Sequence, residues 1–599
     1  MAGRRPPSRN DAETSRYLQC GLSTIRHTRR RLVARAQALR SSITPPSIPS
    51  FGPTAGPPLQ ADPTLAQAFY SGQFPLGGID VDVAGRSPFE LSSAPRHWQR
   101  RLHGFAWLRH LEAAQTELAR QLAQSLVDEW LQFHGRNEPA HPIVWELDVA
   151  SERMVSWIVH ANFIMEGREE AFGKRFTEAL AHQVRHARLR HDHFALTSDH
   201  LIGCLAMAFV THTLAYGPRT RAASLRRLTH ILNRQCPAPS ARGGLIHVSR
   251  RPSVAMEAIP MLAATSSAIR KFGTQIETAD LVAMLDDTAE AMAHWASVAQ
   301  HSGGGLAVFN GAKEESLERV TSVLALGTGD RALLQPIEVC GGYARLSAAN
   351  TTVICDVGPT PPVGASAHAQ AGTLGFEMSS GGERVIVNCG SPEEAHVREK
   401  EEWRQAARQT AAHSALALDR RSSSNTAGSQ FIRALTGHQI VEPIAEPQCE
   451  SGTQDDGQIW LNAEHTGYLR SLGIKHRRAI GISADGRKVT GEDALTRSQV
   501  AGKRKAPRIA SGDTLVEIRF HGAAGCRMRL IDNQSVELQT VGGRTWMFAL
   551  EDHPDFQVTI APSLQINHPG GPAAIQQILV SGHLKSDDSD LQLAWSLSL

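Results

Sequence analysis

Tyrosine is scarce in this chain: five residues among 599, against ten tryptophans and 27 histidines. Any reaction that needs a tyrosine base has only Tyr17, Tyr70, Tyr216, Tyr343 and Tyr468 to draw on. Eight cysteines are scattered with no CxxC and no short regular spacing, which argues against a disulfide scaffold and against a cysteine zinc site. Long apolar runs are also missing. The best candidate, 201–215, is broken by Thr211, His212 and Thr213, short of the roughly 18 apolar residues that a membrane helix needs. Nor is there a GxSxG, a Walker-type phosphate loop, an HExxH or a dinucleotide fingerprint after a strand. The commonest hydrolase, nucleotide and hydride chemistries therefore have no local support.

What is present is an ordinary globular composition, 41% hydrophobic and 20% charged, in a chain too long for one hydrophobic core. The net charge of +3 hides an uneven distribution. The first forty residues hold ten arginines against Asp11 and Glu13, so they carry +8 and the rest −5. This arm has no apolar segment behind its arginines and reads as lacking an export signal. It is expected to be a solvated arm, or a basic amphipathic helix over 25–39 resting on anionic lipid as a peripheral membrane contact. No nucleic-acid motif accompanies the charge. A Pro-, Ser- and Gly-rich linker follows, so 1–60 is set apart as arm and linker.

From 61 to 312 the apolar residues recur at helical spacing. Leu102, Phe105, Leu108, Leu111, Leu118, Leu122, Leu126 and Trp130 predict a helix pair, and 152–165, 176–188, 200–216, 221–233, 254–272 and 278–299 read alike. Tandem helix pairs of this number predict a toroid or solenoid. Beyond the break HSGGGLAVFNGA and one more helix at 314–326, the pattern turns to short alternating segments such as TTVICDVG, ERVIVNCG and LQLAWSLSL. Residues 313–599 are therefore expected to form a large antiparallel β-sandwich.

The densest polar residues lie where that second region begins. Tyr343, Arg345, Asp356, His368, Gln370, Glu377, Asn388, Arg404, Arg408 and His413 fall on adjacent predicted strands and turns. The blocks GGYARL, DVGPTPP, AGTLGFEMSSGGERVIVNCG, WRQAARQTAAHSAL, HTGYLRSLGIKHRRAI with GEDAL, and IRFH are similar to the heparinase II/III family, in the form common in alphaproteobacteria. LHGFAWLRHLEAA and GGLIHVSRRP extend the resemblance upstream, from about residue 61 to the end. It implies an N-terminal (α/α) toroid, a C-terminal β-sandwich and a substrate cleft between them.

The activity implied by the resemblance is that of a polysaccharide lyase, β-elimination at a uronic acid of an acidic polysaccharide. Such a site must stabilise the charge developing at the C5 carboxylate, remove the C5 proton and protonate the leaving oxygen. The family's HxHxD pattern falls on His368, Gln370 and Gly372, so one of three residues is retained. The aspartate that ligates zinc in some members falls on Asn388. Neutral Gln and Asn are poor zinc ligands, so no cofactor and no metal are expected. The later family histidine falls on His413, with Arg408 five residues before it. In the helical region SDHL offers Asp199 and His200, whereas RRPSVAME has Arg250 and Arg251 but no tyrosine. Tyr343, His368, His413 and Arg408 are thus the catalytic candidates, and His200, Arg250, Arg251, Gln370 and Asn388 the substrate-binding ones.

Two functions follow. One is a lyase acting on an acidic glycan; the other is a non-catalytic polysaccharide-binding or assembly protein with a degenerate lyase site. The expected partner is an acidic polysaccharide and not a nucleic acid. By family resemblance the location is the cell envelope or periplasm, with the cytoplasm as runner-up.

Overall fold

In the computed structural model the described residues are 59–134, 143–190, 196–214, 216–237, 246–273, 275–312, 314–327, 334–392, 400–426, 440–498, 513–551, 553–568 and 571–599. The arginine arm, and with it the expected lipid-facing helix at 25–39, lies outside them. A short helix, Leu65–Tyr70, and a hairpin of Gln73–Leu76 and Ile79–Asp82 open the described fold. Two layers of helices follow. The inner row is Arg96–Gly104, Leu147–Val159, Ser198–Thr213, Val254–Phe272 and Leu317–Leu324, each touching the next. The outer row is Glu117–His134, Glu170–Leu189, Pro218–Gln235 and Gln275–Val298. An inner helix is covered on both sides and so must be apolar nearly all round. Ser198–Thr213 meets that demand, with Leu201, Ile202, Leu205, Phe209 and Val210 all buried on successive faces. This two-layered arrangement is the (α/α) toroid. No described helix is long and apolar enough to cross a membrane.

Pro260 lies inside Val254–Phe272. It has no N–H to give the carbonyl four residues earlier, and Arg319 fills the gap by donating to Met256 O at 3.0 Å. The last inner helix is thereby fixed to its neighbour. Helix Leu317–Leu324 also contributes Val320, Val323 and Leu324 to the helical core.

The second half is a sandwich of two antiparallel sheets. One has eight strands, running from Gln448–Thr453 at one edge to Arg527–Leu530 at the other. The other has nine, from Phe556–Gln565 to Ile337–Cys340, with Leu416–Leu418 paired onto Thr514–Gly522. Where one face meets solvent the burial alternates, as in Ile459–His465. Strand Thr351–Asp356 is buried at every position. Its alternate residues serve two cores: Val353 and Cys355 face the sandwich interior, and Ile354 joins the helical core. Tyr343 and Ala344 divide in the same way. The outer face of the larger sheet is therefore the seat of the toroid.

Between the sheets lies a buried polar network. Arg478 pairs with both oxygens of Asp493 at 2.8 and 3.0 Å and donates to the carbonyls of Leu374 and Ser414. Asp493 also accepts from Trp595 Nε1 at 3.0 Å and holds His476 at 2.7 Å. The paired guanidinium outweighs burial and holds this carboxyl well below the usual range.

Candidate functional site

The seam between toroid and sandwich is built around Arg250, which sits just ahead of helix Val254–Phe272 with a left-handed φ of 52°. It is 1% exposed. Its guanidinium donates to Pro359 O at 2.7 Å, to Gly342 O at 2.8 Å and to the carboxylate of Asp356. Gly342 and Gly358 permit this, because a Cβ at either would stand 2.6 Å from the guanidinium group. The expected substrate arginine is therefore a bolt between the two layers.

Tyr343 lies against the same bolt. Its ring is 4.9 Å from Arg250 Cζ and stacks on Phe309 at 5.0 Å. Its hydroxyl donates to Arg250 O and accepts from Asn310 Nδ2 at 2.9 Å. The side chain is fully buried, and burial raises its pKa above the ordinary phenol value, which disfavours the phenolate that a base would need. A tyrosine base must reach an open cleft, and the enclosed placement of the candidate Tyr343 does not provide one.

Asn310 and Gly311 carry the seam onward to Gln370. Gln370 accepts from Gly311 N at 3.1 Å and donates to Gly390 O at 2.8 Å and Ala407 O at 3.0 Å. His368, half-buried, lies beside the same turn, since a Cβ on Gly311 would stand 2.8 Å from His368 O. Asn388 donates to Glu377 and accepts from Ser414 N at 3.1 Å. Glu377, 0% exposed, also takes His301 Nε2 at 2.9 Å and Val308 N at 3.2 Å. Burial pushes this carboxyl up, but the His301 hydrogen bond and the Arg384 charge outweigh it and hold Glu377 below its ordinary value. At the positions that the resemblance gives to zinc, Gln370 and Asn388 are thus committed to protein groups. Among the described residues no three of His, Cys, Asp or Glu converge as a metal would require.

His413 is 1% exposed, with Nδ1 donating to Gln409 O at 2.9 Å. Its Nε2 is buried with no partner, and burial lowers its pKa to about 4. Arg408 is not directed at the seam: it donates to Ala367 O at 3.1 Å and Ser366 O at 2.6 Å and borders a polar groove on the flank of the sandwich. His200 and Arg251 lie apart, in the toroid. His200 meets Thr197 Oγ1 at 2.9 Å, Arg251 donates to Ser198 Oγ at 2.8 Å, and Gln235 links Thr197 to His247.

The nine sequence candidates therefore divide into four groups: Arg250, Tyr343, Gln370 and His368 at the seam, Asn388 and His413 behind it, Arg408 at the groove, and His200 with Arg251 in the toroid. Missing from the sequence reading was a recess in the toroid lined by Arg101, Arg109, Arg319, Glu152 and Glu257. Arg101 and Arg319 are paired there with Glu315 at 2.9 and 3.6 Å, so the charges neutralise one another. These residues come from five separate elements, and no local motif marks them.

Residues 339–595 match the family described as heparinase II/III-like, C-terminal. The chain is 28% identical over 531 residues to FtsZ-localized protein C of Caulobacter vibrioides (strain NA1000 / CB15N), covering 85% of this chain and 84% of that one. Among solved structures it is similar to heparinase III, with a TM-score of 0.62 at 12% identity over 92% of this chain and 87% of the other. The heparan sulfate lyase HepC of Pedobacter heparinus gives a TM-score of 0.54 at 13% identity over 95% and 87%. At such identities the structural likeness establishes the fold.

Proposed function

We propose that this chain, which carries a heparinase II/III-like C-terminal domain on a polysaccharide-lyase fold, binds an acidic polysaccharide and does not cleave it. One observation carries this reading: the Arg250 Nη groups, the Tyr343 hydroxyl and the Gln370 amide at the seam, and the Asn388 amide behind it, are engaged by neighbouring protein atoms. Elimination needs a base, an acid and a carboxylate-binding group that touch the sugar. No zinc enters the reading, because the donor set is neutral and already satisfied.

A holding role also suits the named relative, whose description places it with FtsZ. We extend that location to this chain. The seven described cysteines are free thiols, which supports a reducing compartment, hence the cytoplasm over the envelope.

The test sets the purified chain against heparin, heparan sulfate and alginate, following binding and the ultraviolet absorbance of an unsaturated uronate in parallel. Binding without an absorbance rise is expected. Tyr343→Phe should cost roughly 1–2 kcal/mol of stability, measured in urea, and leave binding unchanged, because it removes internal hydrogen bonds only.

A second reading keeps the lyase. It is favoured by His413, whose Nε2 is unpartnered on a ring held neutral, the state a base requires. In that reading His368 or His413 removes the C5 proton beside Arg408. An absorbance rise that disappears in His413→Ala would establish it and overturn the first.

A further inference from the structure

On the flank of the sandwich, next to the turn that carries Gln370, lies a groove of about 510 Å³ bordered by Arg408, Arg420, Arg421 and Arg470. That volume is within the usual range for small-ligand sites. Arg420 and Arg421 are presented by a very tight turn. Asp419 and Arg420 both have left-handed φ, 49° and 55°, and Leu418 bridges to Arg421 across them. A two-residue turn of this hand favours Asn-Gly, and a bulky second residue is strained there. The strain is held in place by Asp419, which exchanges hydrogen bonds with the Leu515 backbone at 2.9 and 3.0 Å.

The groove is electrostatically one-sided. Glu442 is its acidic member, and it is occupied by Asn425 Nδ2 at 2.5 Å and by Arg470 at 3.5 Å. Arg420 and Arg421 are exposed, and among the described residues neither has a carboxylate within 4.0 Å. Deeper in, Ser424 is 4% exposed, and its hydroxyl is buried against the groove without a hydrogen-bond partner. Two adjacent guanidinium forks over an unsatisfied hydroxyl suit a ligand that combines an oxyanion with neighbouring hydroxyls.

We propose that this groove is the binding site for an acidic sugar unit, its carboxylate or sulfate on Arg420 and Arg421 and a ring hydroxyl on Ser424. The proposal rests on the acidic-polysaccharide reading above, and adds where on the chain that polymer is held.

The test uses the full chain, with affinity for heparin and alginate oligosaccharides measured by calorimetry. Arg421→Ser and Ser424→Ala should each weaken the better-bound oligosaccharide, by about tenfold and severalfold respectively. Arg420→Gly is the diagnostic variant: it relieves the left-handed strain, so its urea midpoint should rise while its affinity falls about tenfold. A merely structural arginine would not separate the two readouts. Undiminished oligosaccharide binding in Arg420→Gly and Arg421→Ser would overturn the groove and leave polysaccharide binding standing. Absence of binding to every oligosaccharide would overturn both readings. Equal competition by polyglutamate would overturn the sugar assignment in favour of an acidic peptide.

Discussion

Replacing Arg250 by Ala is expected to lower the stability of the folded chain by roughly 3–5 kcal/mol, the usual cost of leaving one half of a buried ion pair without its partner. Three acceptors lose their donor at once: Pro359 O, Gly342 O and the Asp356 carboxylate, which is 3% exposed and cannot turn to water. The toroid and the outer face of the larger sheet meet at this point, so the loss should also separate their unfolding transitions. Urea unfolding followed by tryptophan fluorescence, with hydrogen exchange of strands Tyr343–Ala348 and Thr351–Asp356, reads both effects. Arg250→Met combined with Asp356→Asn should recover part of the deficit, because the buried charge then disappears with its partner. A loss below about 1 kcal/mol in Arg250→Ala would contradict the bolt. So would a double variant no better than the single one.

The same residue marks where the sequence stops being legible. Its sign and its place in RRPSVAME suggested a carboxylate ligand, and the carboxylate it holds is one of the chain's own, 106 residues further on. No local pattern encodes a pairing across that separation. Helical spacing did carry the toroid: the reading at 254–272 coincides with Val254–Phe272, and the β pattern TTVICDVG with Thr351–Asp356. Period-two alternation also reports which residues share a sheet face. It does not say what covers that face, so Tyr343 stands as a catalytic candidate in the sequence although Phe309 and Arg250 enclose it. The opening hairpin had a readable signal, Gly77-Gly78 with φ of 65° and 78° between two short strands, and was overlooked. The arginine groove had none, because its residues come from four separate stretches of chain.

Acid should unfold this chain well before its carboxylates have all titrated. Burial lowers His413 to about 4 and both His247 and His521 to about 3, against about 6.5 in an unfolded chain. A histidine with a depressed folded pKa refuses protons that the unfolded chain accepts. Its contribution is complete above pH 6.5 and is lost as pH falls from there toward the folded value. Each such ring adds up to about 1.4 kcal/mol per pH unit to the slope of stability. Glu314, Glu146 and Asp356 oppose the trend, since burial raises their carboxyls and each takes up a proton more readily while folded. His110 is lowered to about 3 as well, and burial also lowers His212, His301, His465 and His476, so the lowered rings outnumber the three opposing carboxyls and stability measured in urea should fall by roughly 3 kcal/mol per pH unit near pH 5. His413→Gln and His521→Gln should each reduce that slope by about 1 kcal/mol per pH unit, because glutamine has no proton to gain. A slope unchanged in both variants would mean that these rings reach solvent in the folded chain. In that state His413 would also be open to substrate, and the elimination reading would gain what the binding reading loses.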